Sequence, residues 1–181
     1  MQNRSAHPVQ PEPEIWTAPD GTPVTIRPIS AADFGLEREF VDKLSSTSAY
    51  QRLMSTRRLT TEEVKRFTDI DYEREMALIA TVVADGRERQ IGVARYAKDK
   101  DVSDEAEFAI VLADDWQRRG LGGKLLSSLL AVARRQGLRR VVGIALSTNS
   151  GMLALARRTG FRLAPDPSSA TITLLSLDLS T

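Results

Sequence analysis

Apolar residues along this chain fall into short runs, several of them alternating with polar residues, and turn signals separate the runs. Such alternation is typical of half-buried β-strands. Two pairs of runs flank a turn, Pro19-Asp20-Gly21 in one and Asp85-Gly86 in the other, which predicts two β-hairpins. The predicted strands are 14–17, 24–27, 76–84, 90–97, 106–112, 141–146, one beginning at Phe161, and 170–179.

Other segments repeat their apolar residues at helical spacing and begin with capping residues. Thr60 and Glu63 form a capping box, so a helix is expected from Thr61. Gly160 follows another such segment, and glycine commonly ends a helix. The predicted helices are 31–44 after Ser30, a shorter one over 48–54, the one from Thr61, 120–135, and one from Asn149 to Arg158.

The order of these elements predicts the fold class. Hairpins come first, followed by strand, helix, strand, helix and two strands, which indicates an α/β (α+β) fold with a mixed, mostly antiparallel sheet flanked by helices. With 181 residues, 41% of them hydrophobic, the chain can form one substantial core. We therefore expect a single domain over 15–181 after a flexible, proline-containing leader over 1–14.

Composition argues against several function classes. The 25 basic and 24 acidic residues leave a net charge of +1, so no nucleic acid and no membrane is expected as a partner. The absence of cysteine removes thiol nucleophiles and cysteine-ligated zinc, and it fits a cytoplasmic location. The one histidine, His7, lies in the leader, so neither a Ser-His-Asp triad nor a histidine metal site is expected in the domain.

The segment from Gln117 to Lys124 joins the fifth strand to the long helix and is rich in glycine and basic residues. Glycines at a helix start let the backbone come close to a ligand, and the first-turn N–H groups form an anion site. The basic side chains add positive charge, so a pyrophosphate is the expected ligand. Its candidate contacts are Gln117, Arg118, Arg119, Gly120, Gly122, Gly123 and Lys124.

Two motifs indicate which pyrophosphate-containing ligand is expected. The glycine spacing fits neither the phosphate-binding loop of NTPases nor the dinucleotide fingerprint. It fits Q/R-x-x-G-x-G/A, and 149–161 fits N-x-x-(A/M)-x-x-L-x-x-x-x-G-F. With these motifs in this order, the chain resembles the GNAT superfamily of N-acetyltransferases from about Val24 to Leu179. The resemblance implies an acetyltransferase with acetyl-CoA as cosubstrate.

A narrower resemblance concerns the acceptor. The segments 58–63, 71–80 and 106–110 are similar to the acetyltransferase domain of bacterial protein lysine acetyltransferases, which as a family modify acyl-CoA synthetases and other proteins. This implies a protein lysine as acceptor and an acyl-CoA synthetase as a partner. Two alternatives stay open, namely a GNAT enzyme for a small-molecule amine and a catalytically silent acyl-CoA-binding regulatory module. A homodimer is compatible with each.

Acetyl transfer to an amine benefits from a base, because a lysine amine, with a pKa of about 10.4, is mostly protonated at neutral pH. With no usable histidine, a carboxylate is expected, and Glu107 lies on the strand 106–112. Six residues separate it from Ala113, roughly 20 Å along a strand and comparable to an extended pantetheine arm. The GNAT resemblance places the general base at this position, where burial would suit it to the task. Glu105 is the substitute.

Further site residues are implied by the same resemblance. Backbone N–H groups around Ile110, Val111 and Leu112 would bind the thioester carbonyl and the pantetheine arm where the sheet splays. Asn149 is either a ligand of the arm or a helix cap.

The resemblance also implies roles for two positions of the helix from Asn149 to Arg158. Arg157 would reach the coenzyme phosphates. Ala156 stands where many family members carry a tyrosine, so the thiolate is expected to leave unprotonated. No metal is expected, and without cysteine or a Ser-His pair direct transfer in a ternary complex is favoured over an acyl-enzyme.

An acidic cluster lies between the helix from Thr61 and the third strand. It consists of Asp69, Asp71, Glu73 and Glu75. A cationic segment around a target lysine would be attracted there, although a solvated charged turn is the simpler explanation of the cluster.

Overall fold

The computed structural model describes residues 10–53, 57–102 and 104–180. Most of the predicted leader (1–9) and Met54 lie outside the described residues. The described strands are β1 (Glu14–Thr17), β2 (Pro23–Pro28), β3 (Glu75–Ala84), β4 (Arg87–Lys98), β5 (Glu105–Leu112), β6 (Arg140–Leu146), β7 (Arg162–Asp166) and β8 (Ser169–Asp178). The described helices are α1 (Phe34–Lys43), α2 (Ser46–Leu53), α3 (Thr61–Thr68), α4 (Leu121–Arg135) and α5 (Ser150–Arg158).

The strands form one sheet in the order β1-β2-β3-β4-β5-β6-β8-β7. All neighbours are antiparallel except β5 and β6, which are parallel. The predicted mixed, mostly antiparallel sheet is therefore confirmed. A parallel pair needs a crossover connection, and α4 provides it between the end of β5 and the start of β6. Among the described helices, none combines the length and the apolar character needed to cross a bilayer.

The two faces of the sheet carry different helices. The side chains of β5, which point alternately to one face and the other, show which helices lie on which face. Leu112 lies on the α4 side, since its side chain is 3.4 Å from the place of a Cβ on Gly122. Val111 lies on the opposite face, where it lines a cavity together with Val41 of α1. Because side chains two apart share a face, Glu107 and Glu105 lie on the α1 side as well.

The start of the first predicted helix differs from the prediction. Residues Ala31–Asp33 form a 3₁₀ turn, and the α-helix begins at Phe34. The Asp33 carboxylate accepts hydrogen bonds from Arg27 Nη1 (2.9 Å) and Ser30 N–H (2.8 Å), which fixes this tighter turn. Burial acts to raise the pKa of Asp33, but these hydrogen bonds outweigh it and hold the pKa below its usual range.

Candidate functional site

Strands β5 and β6 pair over three residues and then diverge. The paired residues are Glu105–Arg140, Ala106–Val141 and Glu107–Val142. Beyond them, β5 continues to Leu112 and β6 to Leu146 with no further pairing between the two strands. A gap therefore opens in the middle of the sheet, as the sequence resemblance implied.

The main chain of β5 presents hydrogen-bond donors to this gap. Ala113 N–H donates to Ile91 O (2.9 Å) on the β4 side, and the β4–β5 register has no shift. Successive strand residues direct their main-chain groups to opposite neighbours, so the odd-numbered residues of β5 bond to β4. The residues whose main-chain N–H and C=O groups face the gap are Phe108, Ile110 and Leu112. Of the predicted backbone donors, two thus face the gap, whereas the Val111 amide faces β4.

The divergence starts at a pair of very unequal side chains, Phe108 on β5 and Gly143 on β6. A Cβ at Gly143 would lie 2.6 Å from the Phe108 ring, so only glycine fits there. The same ring packs against Phe161, with ring centroids 4.8 Å apart. This aromatic contact ties the start of the gap to the segment that follows α5.

Glu107 lies at the last paired position, where the gap begins, and its side chain is exposed. The expected burial is not found; the register partner of Glu107 on β4 is the small and likewise exposed Ala97. Glu107 forms no salt bridge within the described residues. Glu105, by contrast, lies 3.5 Å from Arg140 in an ion pair. The geometry thus leaves Glu107 the more accessible carboxylate of the two.

The glycine-rich segment turns sharply into α4. Gly120 is the residue before the helix, and its φ of 86° is a left-handed conformation that glycine adopts without strain. Arg118 also has a positive φ, 58°, and its side chain is exposed. A Cβ at Gly123 would meet no atom within 4 Å, so this side of the first turn of α4 is open. Open first-turn N–H groups are what an anion site requires.

Gly122 faces the protein interior instead. A Cβ there would lie 3.3 Å from Leu155 Cδ2 of α5 and 3.4 Å from Leu112 Cδ1 of β5. Its close approach is to these two leucines, which lets α4 pack between β5 and α5.

We expect Gly122→Val to lower the free energy of unfolding by about 1–3 kcal/mol, because the added methyl groups overpack this contact. Urea denaturation measures the effect, with Gly123→Val as the control that adds the same side chain on the open side. An unchanged transition for Gly122→Val would contradict the packing role.

Two of the predicted coenzyme cations are paired with carboxylates of the β1–β2 hairpin. Lys124 Nζ donates to Glu14 Oε2 at 2.7 Å. Arg119 bonds to Asp20, and its guanidinium lies 4.1 Å from the centroid of the buried Trp116 ring. Burial acts to raise the pKa of Glu14, but hydrogen bonds from Lys124 and Ser128 hold it below its usual range. Any anion at this loop therefore competes with carboxylates already in place.

The remaining predicted coenzyme residues lie around the same end of the sheet. Gln117 Nε2 donates to Ser48 Oγ of α2 at 3.0 Å, so this amide joins the loop to α2. Asn149 Oδ1 accepts from Met152 N–H at 3.1 Å, which makes Asn149 the cap of α5. Arg157 is exposed and forms no salt bridge within residues 10–53, 57–102 and 104–180. Ala156 is fully buried.

A cavity of about 300 Å³ lies on the Glu107 face, between the sheet and the first three helices. Val93 and Val111 form its floor, and Phe67 of α3 contributes to its wall. Glu37 of α1 lines it as well, although only 2% of this residue is exposed. The cavity is adjacent to the gap, since Val111 follows Ile110 directly.

A buried polar cluster at this cavity was not predicted from the sequence. Gln90 Nε2 donates to Glu37 Oε2 at 2.5 Å, and Arg95 Nη2 lies 3.8 Å from Glu37 Oε1. Burial lowers the pKa of the Arg95 guanidinium, against the effect of the Glu37 carboxylate. Within the described residues, Arg95 Nε and Gln90 Oε1 lack hydrogen-bond partners. The lone arginine in the apolar run 91–97 was the one sequence signal for this cluster.

The predicted acidic cluster is engaged in local structure only in part. Glu75 binds Arg66 through two hydrogen bonds, one of 3.0 Å. Asp71 Oδ1 accepts from Glu73 N–H at 3.0 Å and so stabilises the turn before β3. Asp69, Asp71 and Glu73 are exposed and form no salt bridge within the described residues, so three of the four charges remain available to a cationic segment.

Comparisons with known proteins agree with this geometry. The family model described as "Acetyltransferase (GNAT) domain" matches residues 24–162. An acetyltransferase of Pseudomonas aeruginosa is 34% identical over 153 residues, which cover 84% of this chain and 82% of that protein. Acetyltransferase Pat of Mycolicibacterium smegmatis is 27% identical over 135 residues, 75% of this chain and 40% of that protein. The crystal structure of the GNAT domain of S. lividans PAT superposes with a TM-score of 0.82 at 28% identity, covering 92% of this chain and 96% of that one.

Proposed function

Because the chain belongs to the GNAT acetyltransferase family, in which acetyl-CoA donates the acetyl group, we propose that it acetylates lysine side chains of proteins. The observation that carries the proposal is the position of Glu107, exposed where β5 and β6 part, beside the main-chain donors of the gap. The similarity of 58–63 and 71–80 to bacterial protein lysine acetyltransferases supports a protein acceptor. An acyl-CoA synthetase in the cytoplasm is the proposed partner.

The coenzyme fits the residues around the gap. The open side of Gly123 leaves the first turn of α4 accessible to a pyrophosphate, with Arg118 free of any ion pair in the described residues. The unpaired edge of β5 suits the amides of a pantetheine arm. The proposed coenzyme contacts are Ile110, Leu112, Gln117, Arg118, Arg119, Gly120, Gly122, Gly123, Lys124, Asn149 and Arg157. Val111 is left out of this set, because its amide faces β4.

In the proposed reaction Glu107 accepts a proton from the acceptor ammonium, directly or through one water molecule. The neutral nitrogen attacks the thioester carbon, and the Ile110 N–H stabilises the charge that develops on the carbonyl oxygen. The C–N bond forms, the C–S bond breaks, and the second nitrogen proton goes to solvent. With Ala156 at the tyrosine position, coenzyme A departs as a thiolate, which a thiol pKa of about 8.5 permits.

A small-molecule amine is the second candidate acceptor. The cavity of about 300 Å³ over Val93 and Val111 favours it, because a cavity of this size accommodates a small ligand. A silent acyl-CoA-binding module is the third, and the accessible Glu107 argues against it.

We expect the protein, incubated with labelled acetyl-CoA and an acyl-CoA synthetase from the same cell, to acetylate one or a few lysines of that synthetase. Mass spectrometry locates the modified residues, and a Glu107→Gln variant controls for spontaneous acetylation. Rapid turnover of a small amine from a panel, with no labelling of protein, would transfer the function to the second candidate.

A further inference from the structure

On the face of the sheet that carries Glu107, β6 and β8 hold a group of apolar side chains beyond the gap, next to the polar Ser176, which is opposite Val142. On β6 and β8, directly paired side chains point to this face: Ile144 is opposite Leu174, and Leu146 is opposite Ile172. Together with Val142 they form what we call the β6–β8 patch. Ile144 is 48% exposed, one of the few large apolar residues with such exposure in the described chain. Contiguous apolar side chains with this exposure, rimmed by polar residues, are candidates for an interaction site.

The described helices cover other parts of the sheet. On the Glu107 face, α1 packs on β4 and α2 on β5, while α5 packs on β7 from the opposite face. The opposite face of β6 and β8 is well packed, with Val141, Ala145 and Leu175 all buried. The difference between the two faces shows that the patch is apolar without contributing to the core.

The β6–β8 patch is continuous with the candidate base. Val142, its first member, is the register partner of Glu107. On the other side of Glu107 the three N-terminal helices wall the cavity. A protein segment that brings a lysine to Glu107 therefore has its free approach over β6 and β8.

We propose that the β6–β8 patch docks the acceptor protein, through apolar residues that flank the target lysine. This inference rests on the proposed function and names the chemistry of its substrate. Docking through apolar side chains also implies that acetylation tolerates salt, since screening acts on charges.

The size of the patch favours a transient substrate over a second copy of the chain. It comprises five side chains, of which only Ile144 is more than about a third exposed. A stable protein interface takes about 20 to 30 residues from each side. A contact of this size suits an acceptor that must leave after each turnover.

The test compares the double variant Ile144→Thr/Leu174→Thr with the parent and with Val83→Thr. Threonine is β-branched, as Ile144 and Val83 are and Leu174 is not, and it suits paired strand positions. Val83, 76% exposed on β3, is an apolar control away from the patch. We expect kcat/KM for an acyl-CoA synthetase to fall about tenfold or more in the double variant. The affinity for acetyl-CoA, measured by calorimetry, should stay unchanged in all three proteins, which also shows that they are folded.

Each other outcome has a definite meaning. Parental rates in the double variant would overturn the docking site and leave the proposed function standing. A parent that dimerises in sedimentation, with a monomeric double variant, would assign the patch to a second copy. A parent that labels no synthetase lysine while turning over a small amine would remove both the proposed function and this inference.

Discussion

Glu107→Gln is expected to lower kcat by roughly 10²- to 10⁴-fold, the span that loss of a general base produces. Glutamine keeps the size and the hydrogen-bonding atoms of the side chain but cannot take a proton from the acceptor. The side chain is exposed at the end of the β5–β6 pairing and supports no salt bridge in the described residues, so the fold should be unaffected. Steady-state kinetics with saturating acetyl-CoA measures the effect, and calorimetry should show unchanged coenzyme affinity.

The matched control is Glu105→Gln, one strand repeat away on the same face. Glu105 is held 3.5 Å from Arg140, and its loss should change turnover far less. If Glu105→Gln is the inactive variant and Glu107→Gln keeps full turnover, the base lies at Glu105.

Gly123→Asp is expected to weaken acetyl-CoA binding by about 100-fold or more. The added carboxylate would stand at the open side of the first turn of α4, where the pyrophosphate is proposed. Two like charges about 4 Å apart near a protein surface repel by about 4 kcal/mol, and each 1.4 kcal/mol is tenfold in affinity. The fold should not suffer, because an acidic residue in the first turn of a helix is favourable.

Gly123→Asn separates charge from shape in that experiment. Asparagine has the same size as aspartate and no charge. The Gly123→Asn variant should therefore bind acetyl-CoA much more tightly than Gly123→Asp does. Calorimetric titration at two salt concentrations adds a second criterion. The difference in acetyl-CoA affinity between the two variants should become smaller as the salt concentration rises. Equal affinities of Gly123→Asp and the parent would remove the pyrophosphate from this turn.

Features that depend on neighbouring residues in the sequence could be predicted. The Thr60–Glu63 capping box is one: Thr60 Oγ1 accepts from Glu63 N–H at 3.2 Å, and α3 begins at Thr61 as expected. Caps, turns and alternation are set within a few residues, so they leave a pattern in the chain. The mixed, mostly antiparallel character of the sheet followed from their order, together with the family resemblance.

Features that depend on distant residues could not be predicted. Gly122 and Gly123 are adjacent and identical, yet one packs against Leu155 and the other is open. Lys124 was expected to serve the coenzyme, but its partner in the fold is Glu14, 110 positions earlier. Nothing in the sequence around either glycine or the lysine distinguishes a packing role or an ion pair from a ligand contact.

The short pairing of β5 with β6 has a mechanical consequence. Strands β1 to β5 form one part of the sheet, and β6, β8 and β7 form the other. Within the described sheet, only three residue pairs between β5 and β6 connect the two parts, and they act as a hinge. A rotation that opens or closes the gap displaces atoms in proportion to their distance from that hinge. In such a rotation Leu112 and Leu146 at the far end would move most, whereas Glu107, at the last paired position, would keep its place. We therefore expect any adjustment of the opening to the arm of the cosubstrate to leave the carboxylate in place.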